Sequence, residues 1–244
     1  MLDGLQIHGH KIYEHPTDYD TAIHNHPFYK EMKKRMFEIA KERLDFNSRM
    51  MEYGAGTGNL TAVMACLPFK YFLVTEPDDI CLRYLQEKLG SNPRLTFDKR
   101  DITNFSTEDP FDVIVSCAVD HHVHPSKKTR YLEIIRSQLK SGGLFIAGEE
   151  LLNPFDDENS RIRALYDYHG TIIRMAIEEG HFDTAQSEAM ALMNGIDEFD
   201  EFKIPTSVYF DNIEKAGLEL QDPEKIGPDD GQEHGVYVVV AKRP

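Results

Sequence analysis

The sequence contains no tryptophan, three cysteines and no apolar run that approaches the roughly 18 residues of a membrane span. Cys66, Cys81 and Cys117 each lie inside an apolar segment, at spacings that match no metal or redox motif. They read as buried thiols of a reducing compartment. Positive charge is also scarce: 27 Lys and Arg against 42 Asp and Glu give a formal charge of −15. Nucleic-acid affinity comes largely from Lys and Arg displacing counterions, so an RNA or DNA partner is not expected. The opening residues Met1-Leu-Asp-Gly-Leu-Gln6 lack the basic and apolar stretches of a secretory signal. A cytoplasmic protein with no membrane attachment is the expectation. What is there is an ordinary globular composition, 41% hydrophobic over 244 residues, enough for one large α/β domain with an insertion.

The most informative stretch is Met50–Thr61, Met-Met-Glu-Tyr-Gly-Ala-Gly-Thr-Gly-Asn-Leu-Thr. An apolar run, an acid and the alternate glycines Gly54, Gly56 and Gly58 predict a strand, a tight turn and a helix that opens near Asn59. Glycine admits positive φ, and its missing Cβ lets a ligand lie against the backbone. The free N–H groups of a helix N-terminus then favour a polar or anionic ligand group. Twenty residues after Gly56, the run Tyr71–Thr75 ends in Glu76-Pro-Asp78. An acid at the tip of a neighbouring strand accepts from both ribose hydroxyls, so the expected ligand contains a nucleoside.

Around this stretch short apolar strands alternate with amphipathic helices. Strands are predicted at Met50–Tyr53, Tyr71–Glu76, Leu95–Lys99, Val113–Cys117 and Leu144–Gly148, and helices at Asn59–Leu67, Asp78–Leu89 and Lys127–Leu139. That alternation predicts a parallel sheet covered on both faces. Residues 1–46 precede it as a helical cap, with a helical pattern over Asp18–Leu44 broken at Pro27. Residues 153–203 form an acidic insertion with helices expected at Asn159–Glu179 and Phe182–Asn194, placed as a lid over the ligand crevice. A helix at Thr206–Ala216 and strands at Leu218–Ile226 and Val236–Lys242, the last pair antiparallel, complete a domain of residues 47–152 and 204–244.

With these motifs in order, the sequence resembles the class I S-adenosylmethionine-dependent methyltransferases. Glu52–Gly58 is similar to that family's first motif, Glu76-Pro-Asp78 to the second, Lys99-Arg-Asp-Ile102 to the third, Phe111–Ala118 to the fourth and Leu139–Phe145 to the turn before the fifth strand. A nicotinamide dehydrogenase is the rival, but its fingerprint wants glycine where Asn59 stands. The resemblance implies a Rossmann-like sheet of strand order 3-2-1-4-5-7-6, S-adenosylmethionine as cofactor and S-adenosylhomocysteine as product. It also implies site residues. Glu52, Gly54, Ala55, Gly56, Gly58 and Asn59 would hold the methionine part, Glu76 and Pro77 the ribose, and Asp101 and Ile102 the adenine. Ser116, Cys117 and His122 would line the pocket near the sulfonium. The insertion and the helix after it also resemble carboxy-S-adenosylmethionine synthases, although Asn212 stands where that group's carboxylate-binding arginine is expected.

Methyl transfer needs mainly alignment and a dry site, with a general base only where the acceptor must lose a proton. Expected catalytic residues are His121, in the segment Asp120-His-His-Val-His124, and Tyr166, Tyr168 and His169 of the lid. Aromatic faces stabilise a sulfonium or cationic amine, and histidine takes up a proton near neutral pH. No metal site is expected in the histidine segment. The acceptor is expected to be a neutral or cationic small molecule, with a homodimer allowed. Two other readings share the donor: chemistry within the cofactor itself, by cyclisation or elimination, and a binding module without turnover.

Overall fold

The computed structural model describes residues 16–100, 107 and 109–244. Helices α1 (Pro16–His24) and α2 (Tyr29–Arg43) come first, separated where Pro27 interrupts the helix and Phe28 takes φ 74°. Strands β1 (Arg49–Tyr53), β2 (Tyr71–Thr75), β3 (Leu95–Asp98) and β4 (Phe111–Cys117) alternate with α3 (Asn59–Met64), α4 (Asp79–Leu89) and then α5 (Lys128–Gln138). Strand β5 (Leu139–Leu151) leads into α6 (Glu158–Glu178), α7 (Phe182–Ile196) and α8 (Thr206–Lys215), and the chain ends with β6 (Glu219–Leu220), β7 (Glu224–Gly227) and β8 (Gly235–Lys242).

The sheet order is β3-β2-β1-β4-β5-β8-β6, parallel from β3 to β5, with β8 antiparallel to β5 and β7 also paired to β8. This is the expected Rossmann-like arrangement, with one refinement. The run expected as one strand, Leu218–Ile226, is two short strands that both pair with β8. Local chemistry explains the helix boundaries. Asp78 accepts from the N–H groups of Ile80 and Cys81 and caps α4, and Asp157 with Ser160 forms a capping box on α6.

Two apolar layers sandwich the sheet. On one face Tyr29, Met32, Met36 and Ala40 of α2 form a stripe at helical spacing that packs with α3 and α4 onto β1, β2 and β4. Gly148 in β5 makes this close, since a Cβ there would come within 2.6 Å of the Met32 sulfur. On the other face α5 and α8 contribute Tyr131, Leu132, Ile135, Tyr209 and Ile213. The insertion has a small core of its own, with Leu165, Tyr168, Ile172 and Leu192 against Leu152 and Phe28. It leaves and rejoins the sheet at one point, where the Leu152 N–H donates to Ile204 O at 3.0 Å and the Thr206 N–H to Leu152 O at 3.3 Å. Strand β5 runs three residues past the expected end at Gly148. Pairing with β8, from Leu144↔Lys242 to Leu151↔Gly235, carries it on and takes Glu149 and Glu150 into the interior.

Candidate active site

At the carboxyl ends of β1, β2 and β4 lies a cavity of about 360 Å³. Its floor is the glycine turn. Gly54 and Gly56 have φ of 61° and 53°, a conformation that L side chains rarely adopt. A Cβ on Gly54 would meet Val119 at 2.7 Å, whereas one on Gly56 would point into open space, so that backbone is bare toward the cavity. The turn is fixed from the neighbouring strand. Glu76 accepts from the Gly56 N–H at 2.7 Å through one oxygen and from the Asp78 N–H at 2.9 Å through the other. Burial raises the Glu76 carboxyl and these two backbone donors oppose the rise.

Glu52 sits at the end of β1, 1% exposed, and its Oε2 has no hydrogen-bond partner. Burial pushes its carboxyl up to about 8, with Thr61 pulling down and the Glu76 charge adding to the rise. A buried carboxylate oxygen without a partner at a cavity wall is a place for a cationic ligand group.

The roof comes from the N-terminal helices. Tyr19 and Ile23 of α1 and Tyr29 and Lys33 of α2 line the cavity, each pair four residues apart on one helical face. The sequence alone offers the segment Tyr19–His26 as a cover for the ligand and Tyr29 as a weaker candidate, whereas Lys33 is found only in the structure. Asp20 holds α1 in place by accepting from Asn59 Nδ2 at 3.0 Å, the Tyr84 hydroxyl at 3.1 Å and Lys88 Nζ at 3.0 Å. Asp20→Ala should therefore loosen the roof and not the core. Hydrogen exchange of the α1 amides should accelerate by about tenfold or more with the sheet amides unchanged, and equal protection of α1 would contradict this role.

Of the expected cofactor residues, Glu52, Gly54, Ala55, Gly56, Asn59, Glu76, Pro77, Cys117 and His122 line the cavity. Gly58 stands behind the wall as the N-cap of α3, and the Ser116 side chain is fully buried in the sheet. Asp101 and Ile102 lie outside the described residues. Asn59 spends its amide on Asp20 and Thr57. Asn212 lies in α8 and accepts from the Thr129 hydroxyl of α5 at 3.1 Å, in the layer across the sheet from α2.

The four residues expected to do chemistry are not at the cavity wall. Arg163, Tyr166 and Gly170 do share a face of α6, but that face is turned to solvent and Tyr166 is 53% exposed. Tyr168 and His169, on the opposite face, are fully buried under the insertion. His121 is buried as well, and burial followed by the charges of His122 and Lys203 holds it well below the usual histidine range. His122 does reach the wall. Its Nδ1 lies 2.8 Å from Asp200 O, and against the effect of burial Asp200 and Glu201 raise it above the usual histidine range.

What fills the space between α1, β5 and the insertion is a closed set of ionisable side chains. Glu150 Oε1 accepts from the Tyr29 hydroxyl at 2.8 Å, and Lys203 Nζ lies 3.1 Å from Glu150 Oε2 and 2.8 Å from Glu201. His26 Nε2 is 3.5 Å from Glu150 and 3.3 Å from Glu188, and His169 Nδ1 is 2.8 Å from Glu188. Against burial, Lys203 keeps the Glu150 carboxyl below the usual range, and His169 and His26 keep Glu188 well below it. Glu149, next in the strand, goes the other way. Burial and the Asp120 charge push it up to about 8.

Comparison with known proteins supplies the context for this geometry. Residues 50–143 match the family described as a methyltransferase domain. An uncharacterized methyltransferase of Bacillus pumilus (strain SAFR-032) is 28% identical over 145 residues, which span 57% of this chain and 66% of that protein. The N-methyltransferase NodS from Bradyrhizobium japonicum WM9, solved in complex with S-adenosylhomocysteine, superposes with a TM-score of 0.61 over 90% of this chain and 89% of that one, at 14% identity. The [4+2]-cyclase SpnF superposes with a TM-score of 0.59 over 86% of this chain and 81% of that one, at 14% identity. The two structures show the fold. Among the described residues no helix is long and apolar enough to cross a membrane.

Proposed function

This chain carries a methyltransferase domain of the class I, S-adenosylmethionine-dependent type, and we propose that it methylates a small neutral or cationic acceptor in the cavity over Glu52. The observation that carries the reading is Glu52 itself, a buried carboxyl group with one unpartnered oxygen at the wall that the glycine turn leaves bare. Those residues fit the donor: Glu52 for an ammonium group, the bare backbone of the turn for the chain that bears it, and Glu76 for ribose hydroxyls. When bound, S-adenosylmethionine supplies a methyl group already activated on a sulfonium.

The chain's own contribution is enclosure and alignment. Tyr19, Ile23, Tyr29 and Lys33 roof the cavity, which favours an acceptor small enough to lie beneath two helices. The Tyr29 hydroxyl is committed to Glu150, and burial with the Glu150 charge keeps it protonated. Tyr29 therefore acts as a fixed wall that orients the acceptor. His122, at the wall and paired with Asp200, is the histidine placed to hold or accept a proton from the acceptor. The net charge of −15 supports a neutral or cationic acceptor over a nucleic acid.

Calorimetry with S-adenosylmethionine should give one site per chain, and Glu76→Ala should weaken it about tenfold through loss of charge-assisted hydrogen bonds. No binding by the wild type would end the reading. Incubation of donor carrying a labelled methyl with cell extract, separated into a macromolecule-free filtrate and a retentate, tests the acceptor class. Label should appear in the filtrate together with S-adenosylhomocysteine. Label in protein or RNA would overturn the small acceptor, and methylthioadenosine as product would replace methyl transfer by chemistry within the cofactor.

A further inference from the structure

We propose that His26, Glu150 and Glu188 bind a divalent transition-metal ion of the zinc class, behind the wall of the cavity. Each offers one ligand atom, the three atoms lie within 4.8 Å of one another, and all three residues are buried. His26 supplies the observation that points to a ligand. Its Nδ1 is 2.5 Å from the Pro27 carbonyl oxygen, which only accepts, so Nδ1 carries the hydrogen and Nε2 is the ring's coordinating nitrogen. That Nε2 is buried, has no hydrogen-bond partner and faces two carboxylate oxygens, which also only accept.

The separations fit a shared ion. Two donors bound to one tetrahedral ion at about 2.0–2.2 Å stand about 3.3–3.6 Å apart. Here Nε2 lies 3.3 Å from Glu188 Oε1 and 3.5 Å from Glu150 Oε1. Charge-assisted hydrogen bonds are shorter, about 2.7–2.9 Å. A carboxylate and imidazole set without thiolate suits Zn²⁺, Mn²⁺ or Fe²⁺.

The surroundings have the form that supports a metal. Ligating groups are oriented through their other polar atoms. Lys203 Nζ lies 3.1 Å from Glu150 Oε2, and His169 Nδ1 lies 2.8 Å from Glu188 Oε2. With the Pro27 carbonyl on His26 Nδ1, each of the three ligands is held from behind. Charge counts in the same direction. The Lys203 ammonium faces Glu150 and Glu201, and a divalent ion would add positive charge between Glu150 and Glu188.

The ligands come from three parts of the molecule, the α1–α2 junction, the end of β5 and α7 of the insertion. A bound ion therefore fastens the roof and the insertion to the sheet. Tyr29, which donates to the same Glu150 oxygen at 2.8 Å, connects this fastening to the cavity wall. None of this depends on the identity of the methyl donor or acceptor.

The test uses the full chain, stripped with chelator and then dialysed against Zn²⁺, with Mn²⁺ in parallel. Elemental analysis should find one ion per chain, and the wild type should melt at a higher temperature with the ion than without. His26→Gln and Glu188→Gln should each weaken metal binding at least about tenfold, whereas His122→Gln, in the other histidine–carboxylate group formed with His121 and Glu201, should keep it. Should either ligand variant fail to fold, zinc-edge X-ray absorption on the wild type decides, with only nitrogen and oxygen neighbours expected at about 2.0–2.2 Å. Substoichiometric metal in the wild type, a sulfur neighbour, undiminished binding by folded Glu188→Gln, or loss of metal in His122→Gln would each overturn the site. The first of these results would leave His26 as an imidazolium between two carboxylates.

Discussion

Glu52→Gln should weaken S-adenosylmethionine binding about a hundredfold, in the range of a lost hydrogen bond to a charged group, while stabilising the ligand-free protein at pH 7. Both effects come from one buried carboxyl. It is 1% exposed and burial pushes it up to about 8, so at pH 7 the free protein holds its proton. A cationic ligand group needs the carboxylate, and binding at pH 7 should release about one proton. Calorimetry in buffers of different ionisation enthalpy reads that proton, and Glu52→Gln should abolish its release.

The stability effect has a definite sign. A group whose value is raised in the folded state contributes stability that is present below its unfolded value and lost as pH rises through the folded one. For Glu52 the window runs from the ordinary 4.5 to about 8. Glutamine carries no charge and escapes the loss, which at pH 7 is on the order of 3 kcal/mol and at pH 5 about 1 kcal/mol. Glu149 rises to about 8 as well, so wild type and variant should both retain a decline across the same window. Denaturant unfolding at pH 5 and pH 7 checks this. An equal gain at both pH values, or proton release that survives the substitution, would contradict the role assigned to Glu52.

Lys203→Met should destabilise the metal-free protein by about 3–5 kcal/mol, the usual consequence of removing one partner from a buried ion pair. Methionine replaces the apolar stem of the lysine and removes its charge. The Lys203 side chain is 1% exposed and lies 2.8 Å from Glu201 and 3.1 Å from Glu150, so the variant leaves two buried carboxylates without their cation. Adding Glu201→Gln should recover part of the loss because it removes one of the unpaired charges. Urea unfolding in the presence of chelator measures both variants. A Lys203→Met protein within about 1 kcal/mol of wild type would show that solvent reaches this cluster.

Much of the fold is legible in the order of residues alone. The break at Pro27, the alternating strands and helices, the turn at Gly54–Gly58 and the acid at Glu76 are local features, and each is written in a few adjacent residues. Helical spacing also identifies which side chains of α6 share a face, placing Arg163, Tyr166 and Gly170 together. It carries no information on what that face meets, and the face meets solvent. The interior of the insertion instead receives Tyr168 and His169 from the other side of the helix.

The sequence by itself determined the Rossmann-like sheet and the glycine turn with Glu52 and Glu76, because strand periodicity, positive φ and motif spacing act over short distances along the chain. Only the tertiary structure decided the roof and the buried charges. Tyr29 and Glu150 are 121 residues apart, and His26 meets Glu188 across an even longer stretch of chain. From sequence, Glu149 and Glu150 stand at the end of the fifth strand with a cationic acceptor and solvent as alternatives, and it is the pairing with β8 that carries β5 past them and takes both into the interior. Contacts of this kind depend on how whole layers stack, and no local pattern of residue types encodes them.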